Sequence, residues 1–209
     1  MSPKILAGAA STAVDPAAAA VTDREILMSK PSLALAAFHI AFNFLDSTRH
    51  QLSPTIYMQK FGCTPVQMGT YLAIGNACHV PANFLWAAVE SVLIRRGTST
   101  LQIRRLSTGV GSYLEAALAI AYGMAPNPIV ATLVYGIMDA STGLHGSGGW
   151  TNYMEVGGED TAMINATWNT IACCLPVVVP FIGFWLREKT GSWLPQLVFA
   201  AVFKVQFCI

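Results

Sequence analysis

Four ionisable residues, His39, Asp46, Arg49 and His50, fall within the first long apolar stretch of the chain. Offsets of seven, ten and eleven residues from His39 return to nearly the same face of a helix, so the four share one stripe. Asp46 can reach Arg49 at the third position on and His50 at the fourth. A guanidinium matches a carboxylate or phosphate, and an imidazole changes charge near neutral pH. The set reads as an anion site, Arg49, coupled to the protonatable groups Asp46 and His50. A plainer reading places Arg49 and His50 near the membrane surface, reaching water, with Asp46 as their counter-ion.

Glu115 lies in the stretch GVGSYLEAALAI and has no basic neighbour on its own helix. A carboxyl in hydrocarbon either keeps its proton or faces a wet cavity, and both suit a proton-coupling role. The plainer reading is a hydrogen bond to a neighbouring helix. Asp139 and His145 are weaker candidates, because six residues apart places them on different faces. His79 alone reads as a hydrogen-bonded interior residue. No phosphate-binding glycine loop, HExxH or GxSxG occurs. The five cysteines, at 63, 78, 173, 174 and 208, show no metal-ligand spacing and read as small apolar fillers. No cofactor, metal or catalytic centre is expected, and an enzyme built on His39, His79 and His145 has no motif spacing behind it.

The elements that must carry these residues follow from composition. The chain is 54% hydrophobic and 11% charged, whereas a soluble domain carries roughly 25% charged residues. Too little polar surface exists to wrap a water-soluble globule. A net charge of +1 leaves no footprint for nucleic acid. Apolar blocks near residues 31–56, 66–94, 103–124, 128–149, 161–186 and 193–209 approach or exceed the roughly 20 residues that cross a bilayer as helix. The expected fold is an all-α, multi-pass bundle of about six transmembrane helices. Residues 1–28 read as a polar cytoplasmic lead. The last block is short and reads as truncated. Separators fall at 59–65, 95–102, 125–128, 153–160 and 187–192. Arg95, Arg96, Arg104 and Arg105 crowd one loop, and Lys4, Arg24 and Lys30 precede the first span on the same side. Both termini are therefore expected to be cytoplasmic. The sequon Asn165-Ala-Thr167 lies inside the fifth block, where glycosylation is not expected.

Several segments, taken in order, resemble the carboxy-terminal half of the major facilitator superfamily. The match is to the anion:cation symporter branch, with its vesicular glutamate, sialic acid and sodium/phosphate transporters. Arg24-Glu-Ile-Leu-Met-Ser-Lys-Pro31 resembles the lead into that family's seventh span, and Pro54 with Phe61-Gly62 resembles the end of it. Glu90 through Leu106, ESVLIRRGTSTLQIRRL, resembles the family's acidic residue and two basic pairs between spans eight and nine. Gly148-Gly-Trp-Thr-Asn152 followed by Tyr153-Met-Glu155 resembles a Gly-Phe-x-x-Asn-His-x-Asp element. Asn169, Pro180 and Trp193 stand where the family has Asn, Pro and Trp.

The departures are Tyr153 for His, Glu155 for Asp, Gly157-Gly-Glu-Asp160 for Ala-Pro-Arg-Tyr, and Phe42 where glutamate-type members carry Arg. Glu115 matches a Glu of the ninth span. The resemblance implies proton- or sodium-coupled transport of an organic or inorganic anion, carboxylate or phosphate, by alternating access. It implies a gating role for the loop of Glu90, Arg95, Arg96, Arg104 and Arg105, with Glu90 pairing arginines. It also implies a partner, an amino-terminal six-span half, because such transporters have about twelve spans. The alternative function is a non-transporting membrane bundle for assembly or interaction.

Overall fold

A computed structural model describes residues 22–207, and all regular structure among them is helical. The lead over residues 1–21, with Lys4, lies outside the described residues, as does Cys208. Residues 22–28 are not a loose lead. Thr22 and Glu25 close a capping box on helix α1 (Asp23–Leu27), and Ile26 and Leu27 pack against a buried cluster formed by Leu35, Tyr153, Ile164 and Trp168.

The central helix, α2 (Lys30–Phe61), starts at the Ser29 cap with Pro31 in its first turn. Pro54 lies inside it and has no amide hydrogen for the carbonyl of His50 four residues back. The second apolar block forms two pieces, α3 (Pro65–Asn76) and α4 (His79–Arg95). Pro81 accounts for the break, since it cannot donate to the carbonyl of Ala77. Two long rods follow, α5 (Thr100–Met124) and α6 (Pro128–Thr142).

The separator expected at 153–160 is shorter than the sequence suggests. After α6 the chain winds through a π-helical turn, Gly146–Trp150, directly into α7 (Thr151–Gly157). Burial of Tyr153 holds α7 helical. The chain turns only at Gly158, whose φ of +51° is open to glycine at little cost. The fifth block is again split, into α8 (Thr161–Ala172) and α9 (Leu175–Thr190), with Pro176 just past the break. The final helix is α10 (Leu194–Phe207).

Packing groups α2, α5, α6 and α10 around one core of Leu52, Ile56, Tyr57, Tyr122, Tyr135 and Leu197. Alanines 116, 119, 131, 200 and 201 line the contacts and let backbones approach closely. The α3/α4 pair lies outside against α6, and α8/α9 lies outside against α2. Trp168 reaches Ser32, and Arg104 reaches Glu155, at one end of the bundle. Lys60 donates to the Gly123 carbonyl at the other. The arginine-rich loop therefore lies at the same end as the start of α2.

Two helical stretches among the described residues, Pro65–Arg95 and Pro128–Thr190, are long and apolar enough to cross a membrane. The rods α2 and α5 are long too, but carry too many polar residues to qualify. Of the described cysteines, Cys63 is buried, while Cys78, Cys173 and Cys174 are exposed rather than filling the interior.

Candidate functional site

Polarity is inverted in this bundle. Lys204 is 0% exposed and Arg49 and Glu115 are each 3% exposed, whereas Phe84 and Phe181 are more than 70% exposed. Four charged residues, Arg49, Glu115, Asp139 and Lys204, are placed inside, in two clusters.

The first cluster forms where α2 meets α6. Arg49 donates one nitrogen to Asp139 and the other to Asp46 at 2.6 Å. The second nitrogen also lies 2.9 Å from His50 Nε2. His50 Nδ1 is 3.2 Å from the Tyr135 hydroxyl, which donates to Asn76 at 2.9 Å. A neutral His50 with its hydrogen on Nδ1 satisfies this chain of donors from Arg49 to Asn76. Arg49 is thus held between two carboxylates, and Asp46 and His50 remain partly exposed on the cluster's open side. The contacts within α2 follow from helical spacing. Asp139 does not, since it stands ninety residues away.

The second cluster lies between α5, α10 and the end of α6. Lys204 donates to Glu115 Oε2, and its ammonium sits 4.3 Å from the Phe42 ring. His145 Nε2 is 3.1 Å from Glu115 Oε1. That pair is close but not aligned for a hydrogen bond, so Oε1 and both ring nitrogens of His145 have no partner. Glu115 has no basic neighbour along its own helix, since Arg104 and Arg105 lie near the start of α5, but it is not alone: Lys204, on α10, neutralises it. Composition held the signal, because Lys204 is the one charged residue in the final block.

No family model matches the chain, and no curated protein matches it. The roles of these residues are therefore argued from their chemistry.

Asp46, Arg49 and His50 form one site, and Glu115 belongs to the other. Asp139 and His145, six residues apart, point to different faces, and each joins a different cluster. At the end of the bundle Glu90 accepts from Ser147, itself bonded by the Trp86 indole at 3.0 Å. Among the described residues it meets no arginine, because its own face of α4 turns toward the π-helical turn. Arg104 pairs instead with Glu155 and lies 3.4 Å from Asn152. Arg95 bonds back to the Ser91 carbonyl at 3.2 Å, Arg96 ends α4, and Arg105 is exposed. Asn169 is exposed on α8, with Cys173 Sγ 3.8 Å away.

His39 bonds Tyr153 at 2.8 Å, and His79 lies 2.9 Å from the Thr142 hydroxyl. The two are thus bonded on different elements. Among the described residues no group of three or more His, Cys, Asp or Glu could hold a metal ion.

The π-helical turn fits tightly between α2 and α5. A Cβ on Gly149 would run into the Phe38 ring, and one on Gly148 into the side chains of Ser107 and Thr108. Glycine here allows the backbones to touch.

Proposed function

We propose that this chain is a multi-pass membrane bundle and one half of a secondary transporter that moves small anions together with a cation. The observation that carries the reading is the inverted polarity. Charged groups cost roughly 2.5–3.5 kcal/mol each at the centre of a bilayer and are kept where they act. Here they are paired inside a bundle whose outer surface is rich in large apolar side chains. The resemblance to the carboxy-terminal half of the anion:cation symporters supports a half-transporter with both termini cytoplasmic.

The charges set a rule for such a site. With His50 neutral, Asp46, Asp139 and Arg49 sum to one net negative charge, so an incoming anion meets a guanidinium already taken. Protonating a carboxylate frees it. An anion could therefore bind only together with a proton or another cation, and that requirement is the logic of symport. Arg104 with Glu155, and Glu90 with Ser147, would then hold one end of the bundle closed in one conformation.

The test is reconstitution of the chain in sealed liposomes, with uptake of labelled phosphate or a labelled carboxylate under a pH or sodium gradient. The chain alone is expected to be inactive and to gain uptake when an amino-terminal six-span half is supplied. Saturable uptake by the chain alone would overturn the half-transporter reading in favour of a homodimer. The second reading, a non-transporting bundle, is favoured by the fact that both buried cations already have carboxylate partners. Absence of uptake with any such half would select it.

A further inference from the structure

We propose that Glu115, His145 and Lys204 form a proton-binding centre that excludes sodium. The consequence for coupling rests on the transporter reading above; the chemistry of the centre does not.

Three separate elements bring these groups together in a space closed to solvent: α5, α10 and the junction of α6 with the π-helical turn. With a neutral imidazole the triad carries no net charge. It is nevertheless incomplete, because Glu115 Oε1 and both His145 nitrogens lack a hydrogen-bond partner. Buried polar groups are ordinarily satisfied, and unsatisfied ones mark a place where something is gained or lost. One added proton, shared between Nε2 and Oε1 across 3.1 Å, would supply a charge-assisted bond after a small rotation of the ring.

Sodium has no comparable place. Hard cations take about six oxygen ligands, and here the position beside the carboxylate is filled by the Lys204 ammonium. Aromatic rings cover the side that faces α2. Across the site α2 presents Phe42 and Phe38, whose rings lie 5.3 and 5.6 Å from the His145 ring. Ionisable residues of α2 are engaged elsewhere: His39 bonds Tyr153, Arg49 bonds both Asp46 and Asp139, His50 lies beside Arg49, and Lys60 bonds the Gly123 carbonyl. Glu115 and Lys204 are thus the charged groups facing His145 from α5 and α10. Adding a proton raises the triad to a net positive charge, which hydrocarbon disfavours and an arriving monovalent anion cancels. Proton and anion then promote each other's binding.

The experiment is a pH titration of the purified full chain in detergent micelles, with nitrogen-15 in its four histidines. The resonance missing from His145→Asn identifies His145. It is expected to titrate within the pH range over which the protein stays folded, with a midpoint unchanged when choline replaces sodium at equal ionic strength. The charge-balanced double variant Glu115→Gln/Lys204→Met keeps His145 without the carboxylate, and its titration is expected to be lost from that range. A His145 signal that never moves with pH overturns the proposal. So does one that responds to sodium at fixed pH, or a double variant that titrates like the wild type. If His145 titrates as stated but no anion uptake is found with any partner half, the transporter reading falls and the proton centre stands.

Discussion

Replacing Glu115 with Gln removes one charge from a pair that has no water to fall back on. Lys204 is 0% exposed, so its ammonium would be left with the Phe42 ring and a neutral amide. Two unit charges about 4 Å apart attract by about 4 kcal/mol at an effective dielectric of about 20. Removing one partner of a buried pair costs about 3–5 kcal/mol, because the survivor stays buried and uncompensated. Lys204→Met should cost a similar amount, leaving Glu115 exposed to the same penalty. The double variant removes both charges while keeping volume, and should lie within about 2 kcal/mol of the wild type. The coupling energy across the cycle is then about 4 kcal/mol or more. Reversible unfolding in mixed micelles with added SDS, followed by tryptophan fluorescence, measures all four proteins. Single variants that each lose less than about 1 kcal/mol, with strictly additive effects, would refute the reasoning. That outcome would mean water or detergent reaches the pair.

In the other cluster, Asp139→Asn should destabilise the fold more than Asp46→Asn, because Asp139 is buried and Asp46 partly open. Neutralising Arg49 in either background should recover part of the loss, and additive losses in the same unfolding assay would remove the pairing. Gly149→Ala should cost about 1–3 kcal/mol, since the new methyl group displaces the Phe38 ring; unchanged stability would show that the π-helical turn has room. For topology, a single cysteine at Thr98 in a cysteine-free background should stay unreactive to an impermeant reagent in sealed cells. Strong labelling from outside would invert the orientation. Thr98 serves better than Ser99, which caps α5 through the Gln102 amide and whose loss would cost about 1 kcal/mol. At α1, the Thr22 amide and hydroxyl hold the Glu25 carboxyl below its ordinary value of 4.5. A lowered folded value stabilises the ionised cap above that pH, and the contribution fades as pH falls through the folded value. Amide exchange in α1, corrected for intrinsic rate, should quicken on acidification, and Glu25→Gln should abolish that dependence.

What the sequence by itself determined is local. Block lengths act locally, so the all-helical class was legible; the blocks at 66–94 and 161–186, expected as single spans, are each two helices, broken ahead of Pro81 and Pro176. The Asp46–Arg49 contact was legible for the same reason: three residues along one helix fix it. The 153–160 separator misled, because its polar residues suggest a loop while burial of Tyr153 keeps α7 helical. Only the tertiary structure decided which charges meet. Asp139 reaches Arg49 across ninety residues and Lys204 reaches Glu115 across eighty-nine, and neither pairing leaves a mark on local spacing. Glu90 likewise reads as a partner for nearby arginines, yet the packing of α4 against α6 turns it to Ser147. Helical periodicity states which face a residue occupies. Which face of which helix lies opposite is set by how the whole bundle buries its few charges at once.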